Sequence, residues 1–315
     1  MYRSRLLIYI CIVFAAAAAA GIAQTPQPTP TPFGQNETPL EKIRRQDREH
    51  QRLQQEVYNN LYGQDALGNS SRFTKLWRAK MVELYREPGK KETRMLAPEN
   101  RYTSRYSEFL KNDDAGIFRL IPDQGCDQKG SVSAAPKCLK YNFPGAGSSY
   151  SFRLGSYRLR RLADISYFRT TILTRGVLSG AIFVALGDIP VEAVTLETRG
   201  ISFLSEYKPA KTAEKALEAA KRFAKGVKNG GFVYGRGVYA TPNTTFAMRL
   251  IAYRGKYLRV EDGVKYNELD FDKRRDIIVT FRVLDVDRDG TATIVWKILR
   301  ESKAPKIKMP RPKSK

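Results

Sequence analysis

Val177-Leu-Ser-Gly-Ala-Ile-Phe-Val-Ala-Leu186 is a ten-residue, mainly apolar stretch without charge. A helix that crosses a membrane needs about 20 apolar residues, so this stretch is too short to be one. An apolar run of this length predicts a strand buried inside a sheet. We therefore expect the core to form around a sheet that has this strand near its centre.

Short apolar or alternating segments on both sides of this run predict further strands. The gaps between them have the length of hairpin connections, which favours antiparallel pairing. The predicted fold class is therefore α+β, with a mainly antiparallel β-sheet that forms a sandwich or a partly open barrel. The other predicted strands are 116–121, 150–154, 157–162, 168–173, 191–196, 201–204, 246–253, 277–284 and 292–299.

One helix is predicted within this α+β domain, which spans 91–302. From Lys211 to Ala224 the apolar residues recur with a helical period, and charged residues occupy the opposite face. The helix is therefore expected to pack on the sheet. The Lys-, Arg- and Pro-rich tail at 303–315 is predicted to be disordered or loosely docked.

An N-terminal two-helix segment, residues 38–90, precedes that domain. Its first helix opens at the capping box Thr38-Pro-Leu-Glu41 and extends to about Leu61. Its second helix is predicted from Arg72 to Arg86, where apolar residues again follow a helical spacing. The two helices could pair as an antiparallel hairpin.

Residues 1–23 have the pattern of a secretory signal peptide. Arg3 and Arg5 precede an uncharged apolar run, and small residues end it at Ala23. A Pro- and Thr-rich linker follows at 24–37, where the prolines favour an extended chain. The sequence thus predicts an extracytoplasmic protein, in the periplasm, at the cell surface or secreted. The alternative is an uncleaved signal, which would make the linker a membrane stalk.

Three cysteines are present, and Cys11 lies within the predicted signal peptide. The other two, Cys126 and Cys138, are separated by a polar spacer, and an oxidising compartment favours their pairing. A disulfide across so short a loop would stabilise the fold by about 3 kcal/mol. Zinc binding is the alternative, but the pair has no histidine nearby, and a redox pair would need C-x-x-C spacing.

Lysine and arginine total 55 against 32 aspartate and glutamate, which gives a net charge of +23. Loss of the signal peptide lowers it to +21, because Arg3 and Arg5 leave with it. The expected partners are an anionic envelope surface, an acidic polysaccharide or an acidic protein. Export argues against nucleic acid in the cell, and a membrane tether is expected only with an uncleaved signal. The alternative is charge that serves solubility alone and does not cluster on one face.

The densest mixture of aromatic and basic residues lies at 150–161. On a strand that starts at Tyr157, Arg158 and Arg160 would share one face, where two guanidinium groups can bind phosphate, sulfate or carboxylate. Together with Arg153 and Arg161 they form the predicted anion-binding set. The alternative interpretation is an ordinary amphipathic strand with a solvated basic face.

Asp285-Val-Asp287-Arg-Asp289-Gly290 matches the first half of a calcium loop, with carboxylates at positions 1, 3 and 5 and glycine at position 6. Position 12 is Trp296 instead of glutamate, and the flanking segments have strand patterns. These departures favour a tight hairpin with Asp289 and Gly290 in its turn, and such a hairpin could also bind calcium if another carboxylate, such as Asp272 or Asp276, folded in. Calcium is the only cofactor that the sequence suggests.

Motifs of catalysis are weak in this sequence. His50 is the sole histidine, and its charged surroundings predict a solvated surface residue rather than a member of a catalytic triad. The leading hypothesis is therefore a non-enzymatic envelope or secreted binding protein. The alternatives are a structural assembly subunit and a hydrolase that acts on an envelope polymer through a carboxylate pair. Candidate carboxylates for the hydrolase are Asp164, Asp188, Glu192 and Glu197.

Overall fold

The computed structural model describes residues 70–85, 88–123, 133–134, 139–140 and 147–309, which all fall within one compact unit. The predicted signal peptide, the linker and the first N-terminal helix with His50 lie outside the described residues. So do the cysteine pair Cys126 and Cys138 and the last residues of the predicted tail. These stay predictions.

Two of the predicted helices lie within the described residues, and both are confirmed. They are α1 (Ser70–Tyr85), the second helix of the N-terminal segment, and α5 (Ala213–Ala224), which begins after the N-cap Thr212. None of the described helices is both long enough and apolar enough to cross a membrane. The other helices and the 3₁₀ turns are α2 (Lys90–Leu96), α3 (Asn100–Arg105), Phe109–Lys111, Val191–Ala193, α4 (Ser202–Glu206) and Glu268–Phe271.

The strands are numbered in chain order and form antiparallel pairs with their sheet neighbours. They are β1 (Ala115–Leu120), β2 (Ser133–Ala134), β3 (Leu139–Lys140), β4 (Ser149–Ser151), β5 (Ser156–Tyr157), β6 (Ile165–Phe168), β7 (Thr171–Thr174), β8 (Ser179–Gly187), β9 (Val227–Asn229), β10 (Phe232–Gly235), β11 (Gly237–Tyr239), β12 (Thr244–Ala252), β13 (Leu258–Glu261), β14 (Val264–Asn267), β15 (Arg275–Val286) and β16 (Ala292–Lys303).

A seven-stranded sheet in the order β1-β16-β15-β12-β8-β10-β9 is the largest element of the described structure. A five-stranded sheet in the order β11-β7-β6-β4-β5 is the second. The strand predicted at 177–186 is β8, and it pairs with β12 on one side and β10 on the other. The predicted α+β class with mainly antiparallel sheets is confirmed.

The main core lies between these two sheets. Alternate residues of β15 (Ile277, Val279, Phe281 and Val283) belong to it, because side chains along a strand point to opposite faces in turn. The smaller sheet contributes residues such as Tyr150 to the same core, and the Tyr150 ring stacks on that of Phe118 from β1 with ring centroids 3.7 Å apart. The core therefore holds the two sheets face to face.

Helices cover the opposite face of the larger sheet. Ile182 of β8 and Ile278 of β15 point to this side, where they pack with Leu204 of α4 and Phe223 of α5. At the other end of the sheet, Tyr106 packs on Val295 of β16. The described structure therefore has three layers, with helices, the larger sheet and the smaller sheet in that order.

The chain passes directly from one sheet to the other at Arg236. Strand β10 ends at Gly235 in the larger sheet, and β11 begins at Gly237 in the smaller sheet. Arg236 is the only residue between them. The two sheets thus share a corner at this point, as expected for a partly open barrel.

Two predicted strands are wrong, because the apolar residues in them follow a helical spacing. Residues 191–196 contain the 3₁₀ turn Val191–Ala193, and residues 201–204 lie largely in α4. In each segment the buried pair is three residues apart, Val191 with Val194 and Ile201 with Leu204. A spacing of three places both side chains on one face of a helical turn, whereas a strand would place them on opposite faces.

The boundaries of four other predictions also need correction. The strand predicted at 150–154 ends at Ser151, the strand predicted at 157–162 ends at Tyr157, and the strand predicted at 168–173 is a hairpin of β6 and β7. The tail predicted to be disordered or loosely docked from residue 303 is packed over its first residues. Ala304 and Ile307 are buried, since backbone bridges join this segment to Arg254 and Thr212.

Candidate functional site

Arg153 does not lie on a solvated face as predicted, because its side chain is 0% exposed. Its guanidinium forms an ion pair of 2.7 Å with Asp164 and another of 2.8 Å with Asp272. It also donates a hydrogen bond of 3.0 Å to the carbonyl of Leu162. Every partner belongs to the protein itself, so Arg153 is a structural residue of the interior.

The other three arginines of the predicted anion-binding set are also engaged internally. They are not arranged along a strand, because β5 ends at Tyr157. Arg158 is buried over the ring of Tyr85 in α1, at 5.0 Å from its centroid. Arg160 forms an ion pair with Asp123, and Arg161 forms one with Glu268. The predicted basic face is therefore corrected to a set of internal contacts.

Asp272 joins two arginines at the centre of this buried network. Its carboxylate is 2.8 Å from Arg153 and 2.7 Å from Arg274. Burial opposes its ionisation, but the two guanidinium groups outweigh burial and hold the pKa of Asp272 below its usual range. At Asp164 burial dominates over the single arginine and raises the pKa. The network links the β4–β6 region to the segment before β15, where a ligand has no access.

The aspartates of the predicted calcium loop lie in the hairpin that connects β15 to β16. The amide of Asp287 donates to the carbonyl of Thr291 at 2.9 Å, and the carboxylate of Asp289 accepts from the amide of Thr291 at 2.9 Å. The flanking segments are strands, which confirms the hairpin interpretation. Asp289 therefore acts within the turn itself.

Carboxylates from two parts of the chain meet beside this hairpin. Carboxylate oxygens of Glu99, Asp285 and Asp287 lie within 4.8 Å of one another, and Asp289 is not among them. Arg101 forms ion pairs with Glu99 at 3.0 Å and with Asp285 at 3.2 Å, and Arg119 pairs with Asp287. Arginines thus already balance the negative charge that a calcium ion would have to balance.

Replacement of Gly290 by alanine is expected to lower the free energy of unfolding by about 1–2 kcal/mol. Gly290 has a φ of +85°, which side chains disfavour, and an added Cβ would lie 3.2 Å from Cγ of Pro122. Urea unfolding of Gly290→Ala beside the wild type measures the change. An unaltered midpoint and slope would show that the turn relaxes without cost.

The carboxylates proposed for a hydrolase do not form a pair in a cleft. Asp164 is enclosed in the buried network, whereas Asp188, Glu192 and Glu197 are exposed. Asp188 forms an ion pair of 2.5 Å with Arg282. The cavity described below is lined by neither aspartate nor glutamate. The described residues therefore give the hydrolase hypothesis no support.

Helix α5 has a strongly basic outer face. Lys211, Lys215, Lys221 and Lys225 are exposed, and none of them forms an ion pair with another described residue; we call these four the α5 lysine face. Within the helix, Lys215 points away from the apolar side and Lys221 lies at its edge, whereas Lys211 and Lys225 flank the two ends. Glu214 and Glu218 also lie on the outer side. Residues 206–236 contain eight lysines and arginines against three glutamates, so this face has a positive excess.

A cavity of about 270 Å³ lies between the inner face of α5 and the larger sheet. Its lining is mainly apolar and includes Ile182 of β8, Ile251 of β12 and Phe223 of α5. Arg236, at the corner between the two sheets, is the one charged residue among the described residues of the lining. Burial raises the pKa of Tyr253 in the lining to about 12, so this hydroxyl stays neutral at physiological pH.

Small residues leave this space unfilled. The inner face of α5 carries alanines such as Ala213 and Ala216 towards the cavity, and the facing strand β8 carries Gly180. A Cβ added to Gly180 would meet no atom within 4 Å. Exposed residues such as Leu217 and Arg236 belong to the lining, so the cavity is open to solvent on one side.

No protein-family model, curated protein or solved structure matches this chain.

Sequence reasoning identified the lysines of α5 only as the polar side of a packed helix, and it missed the cavity. The signal for the cavity was the run of alanines on the apolar side of 213–224, which cannot fill the space that larger side chains would fill. The sequence around Arg236 gives no signal for a site, because the glycine-rich segment 230–237 is typical of turns. In the structure, Arg236 lies at the corner between the two sheets and beside the cavity.

Proposed function

We propose that this protein is a non-enzymatic binding protein, and that the α5 lysine face attaches it to an anionic surface or an acidic partner. The observation that carries the proposal is the clustering of these lysines without ion-pair partners among the described residues. Clustered lysines produce a stronger local positive potential than the same charge spread over the surface. Exposed unpaired lysines are free to interact with external anions.

The contrast between the paired arginines of the interior and the unpaired lysines of α5 supports this proposal. The buried arginines Arg153, Arg249 and Arg274 each form an ion pair with an aspartate, so their charge is neutralised within the fold. The lysine face adds to its own charge that of Lys306 and Lys308, because Lys308 is bridged to Thr212 beside the start of α5. Positive charge that is not neutralised by a described residue is therefore available to a partner around α5.

Replacement of Lys211, Lys215, Lys221 and Lys225 by glutamine is expected to weaken binding to anionic vesicles by at least about tenfold at low salt. Each basic residue near an anionic membrane contributes about 1 kcal/mol, so four could contribute more than this. Glutamine has nearly the helix propensity of lysine and should leave α5 intact. Co-sedimentation of the purified protein with vesicles that contain phosphatidylglycerol measures the effect.

A matched control removes the same charge from another part of the surface. Arg72, Lys90, Lys91 and Arg94 are exposed in α1 and α2 and form no ion pair with a described residue. Their replacement by glutamine should weaken vesicle binding much less. Equal losses in the two variants would refute a specific face. Wild-type binding that is absent at low salt, or that does not fall as salt rises, would refute the proposal as a whole.

A further inference from the structure

We propose that the cavity beneath α5 binds the hydrocarbon chain of a single-chain anionic amphiphile, a long-chain carboxylate, and that Arg236 binds its head group. This site is distinct from the α5 lysine face, and its ligand is a small molecule rather than a surface. The inference goes beyond the proposed function and can fail or hold independently of it.

The chemistry of the walls favours a hydrocarbon chain. Ile182 and Ile251 from the sheet and Phe223 from the helix present apolar groups to the space. Gly180 and Ala216 keep opposite walls apart, since neither carries a side chain long enough to reach across. An apolar cavity gains little from water, which needs two to four polar partners. An alkyl chain would supply the missing van der Waals contacts.

The charge at the cavity favours an anionic head group. Arg236 is exposed, and its guanidinium forms no ion pair or hydrogen bond with the described residues. The described residues of the lining include no carboxylate that would repel an anion. A guanidinium can bind a carboxylate through two parallel hydrogen bonds. A carboxylate head group therefore matches the single charge of the site.

The dimensions favour one chain. A volume of about 270 Å³ is close to the lower end of small-molecule pockets, which begin at about 300 Å³. One wall is the segment that contains Ile307, whose amide donates to the carbonyl of Arg254 at 2.9 Å. The site therefore suits an extended single chain better than a double-chain lipid or a fused ring system.

The experiment is calorimetric titration of the purified protein with sodium dodecanoate below its micellar concentration. Dodecanol and dodecyltrimethylammonium serve as neutral and cationic amphiphiles with the same chain. We expect dodecanoate to bind at least about tenfold more tightly than dodecyltrimethylammonium, because a charge-assisted pair with Arg236 is available only to the carboxylate. Each methylene added to shorter carboxylates should tighten binding by about fourfold until the cavity is full.

Two variants locate the ligand. Gly180→Val fills the cavity from the sheet and should weaken dodecanoate binding at least about tenfold. The strand should tolerate it, because valine favours strands and a Cβ at this position has open space. Ala216→Leu fills the cavity from the helix and tests the same point if the first variant is unstable. Arg236→Gln should weaken dodecanoate binding but leave dodecanol binding unchanged.

Control variants separate this site from the lysine face. Ala185→Val adds bulk to an exposed position of the same strand outside the cavity lining and should bind dodecanoate normally. The glutamine variant of the α5 lysine face should also bind dodecanoate normally, while Gly180→Val should keep its vesicle binding. Undiminished dodecanoate binding in folded Gly180→Val and Ala216→Leu would overturn the proposal. Equal affinity for the anionic and cationic amphiphiles would overturn the role of Arg236.

Discussion

Replacement of Asp272 by asparagine is expected to lower the free energy of unfolding by about 3–5 kcal/mol. The carboxylate is 0% exposed and lies 2.8 Å from Arg153 and 2.7 Å from Arg274. Asparagine has nearly the same shape but no charge, so two buried guanidinium groups would be left with Asp164 as their remaining carboxylate in this network. Guanidinium unfolding followed by far-ultraviolet circular dichroism measures the loss.

The pH dependence of this effect has a definite sign. The pKa of Asp272 is lower in the folded protein than in the unfolded chain, where an aspartate has a pKa of about 3.9. Ionised Asp272 therefore stabilises the fold above about pH 4, and the contribution is lost as the pH falls through the folded pKa. The difference in the free energy of unfolding between the wild type and Asp272→Asn should have its full size at neutral pH and should become smaller in acid.

An exposed ion pair provides the matched control for Asp272. Glu108 and Lys111 are 2.7 Å apart, with side chains 82% and 60% exposed. Solvent screens such a pair, so Glu108→Gln should change the free energy of unfolding by less than about 1 kcal/mol. A cost for Asp272→Asn that is no larger than that for Glu108→Gln would mean that the buried network does not support the fold.

Replacement of Phe281 by alanine is expected to lower the free energy of unfolding by about 3–5 kcal/mol. Phe281 is fully buried at the centre of β15, and its ring centroid lies 5.3 Å from that of Phe246 and 6.0 Å from that of Phe152. Phe152 follows β4 of the smaller sheet, so Phe281 packs in the layer that joins the two sheets. Its removal would leave a cavity that the surrounding strands cannot close.

Thermal and denaturant unfolding of Phe281→Ala tests this prediction. Tyr239 is a suitable control, because it is an aromatic residue of β11 that is 70% exposed. Tyr239→Ala should change stability by no more than about 0.5 kcal/mol. A loss below about 1 kcal/mol for Phe281→Ala would show that the interface between the sheets repacks, and would contradict a close-packed core at this point.

The parts of the fold that could be predicted from the sequence are those whose local pattern agrees with their tertiary surroundings. Strands β12, β15 and β16 are long and buried, and helix α5 has a clear apolar side opposite its lysines. The segment around Val191 and Ile201 failed because short helical turns and short strands both place apolar residues close together. Which side of such a turn is buried depends on the sheet that it packs on. That sheet is formed by other segments of the chain, so the local sequence does not predict it.

The site was harder to predict, because a sequence does not show which charged residues pair with each other in the fold. Arg153 and Asp272 are separated by 119 positions, so no local pattern could show that the arginine is neutralised. Arg161 and Glu268 are separated by 107 positions in the same way. The lysines of α5 have Glu214 and Glu218 as neighbours in sequence, yet none of them forms an ion pair with a described residue. Only the fold distinguishes the internally paired arginines from the unpaired lysines of α5.

Two groups of basic residues in this fold have different surroundings. Arginines such as Arg153 and Arg274 brace the interior, whereas the lysines around α5 face outward. Acetylation of amines leaves guanidinium groups untouched. Enzymatic or chemical acylation would therefore remove the positive charge of the α5 lysine face and leave the ion pairs of the buried arginines intact. Attachment to a partner could then be adjusted by degrees, through a modification to which the stability of the fold is largely indifferent.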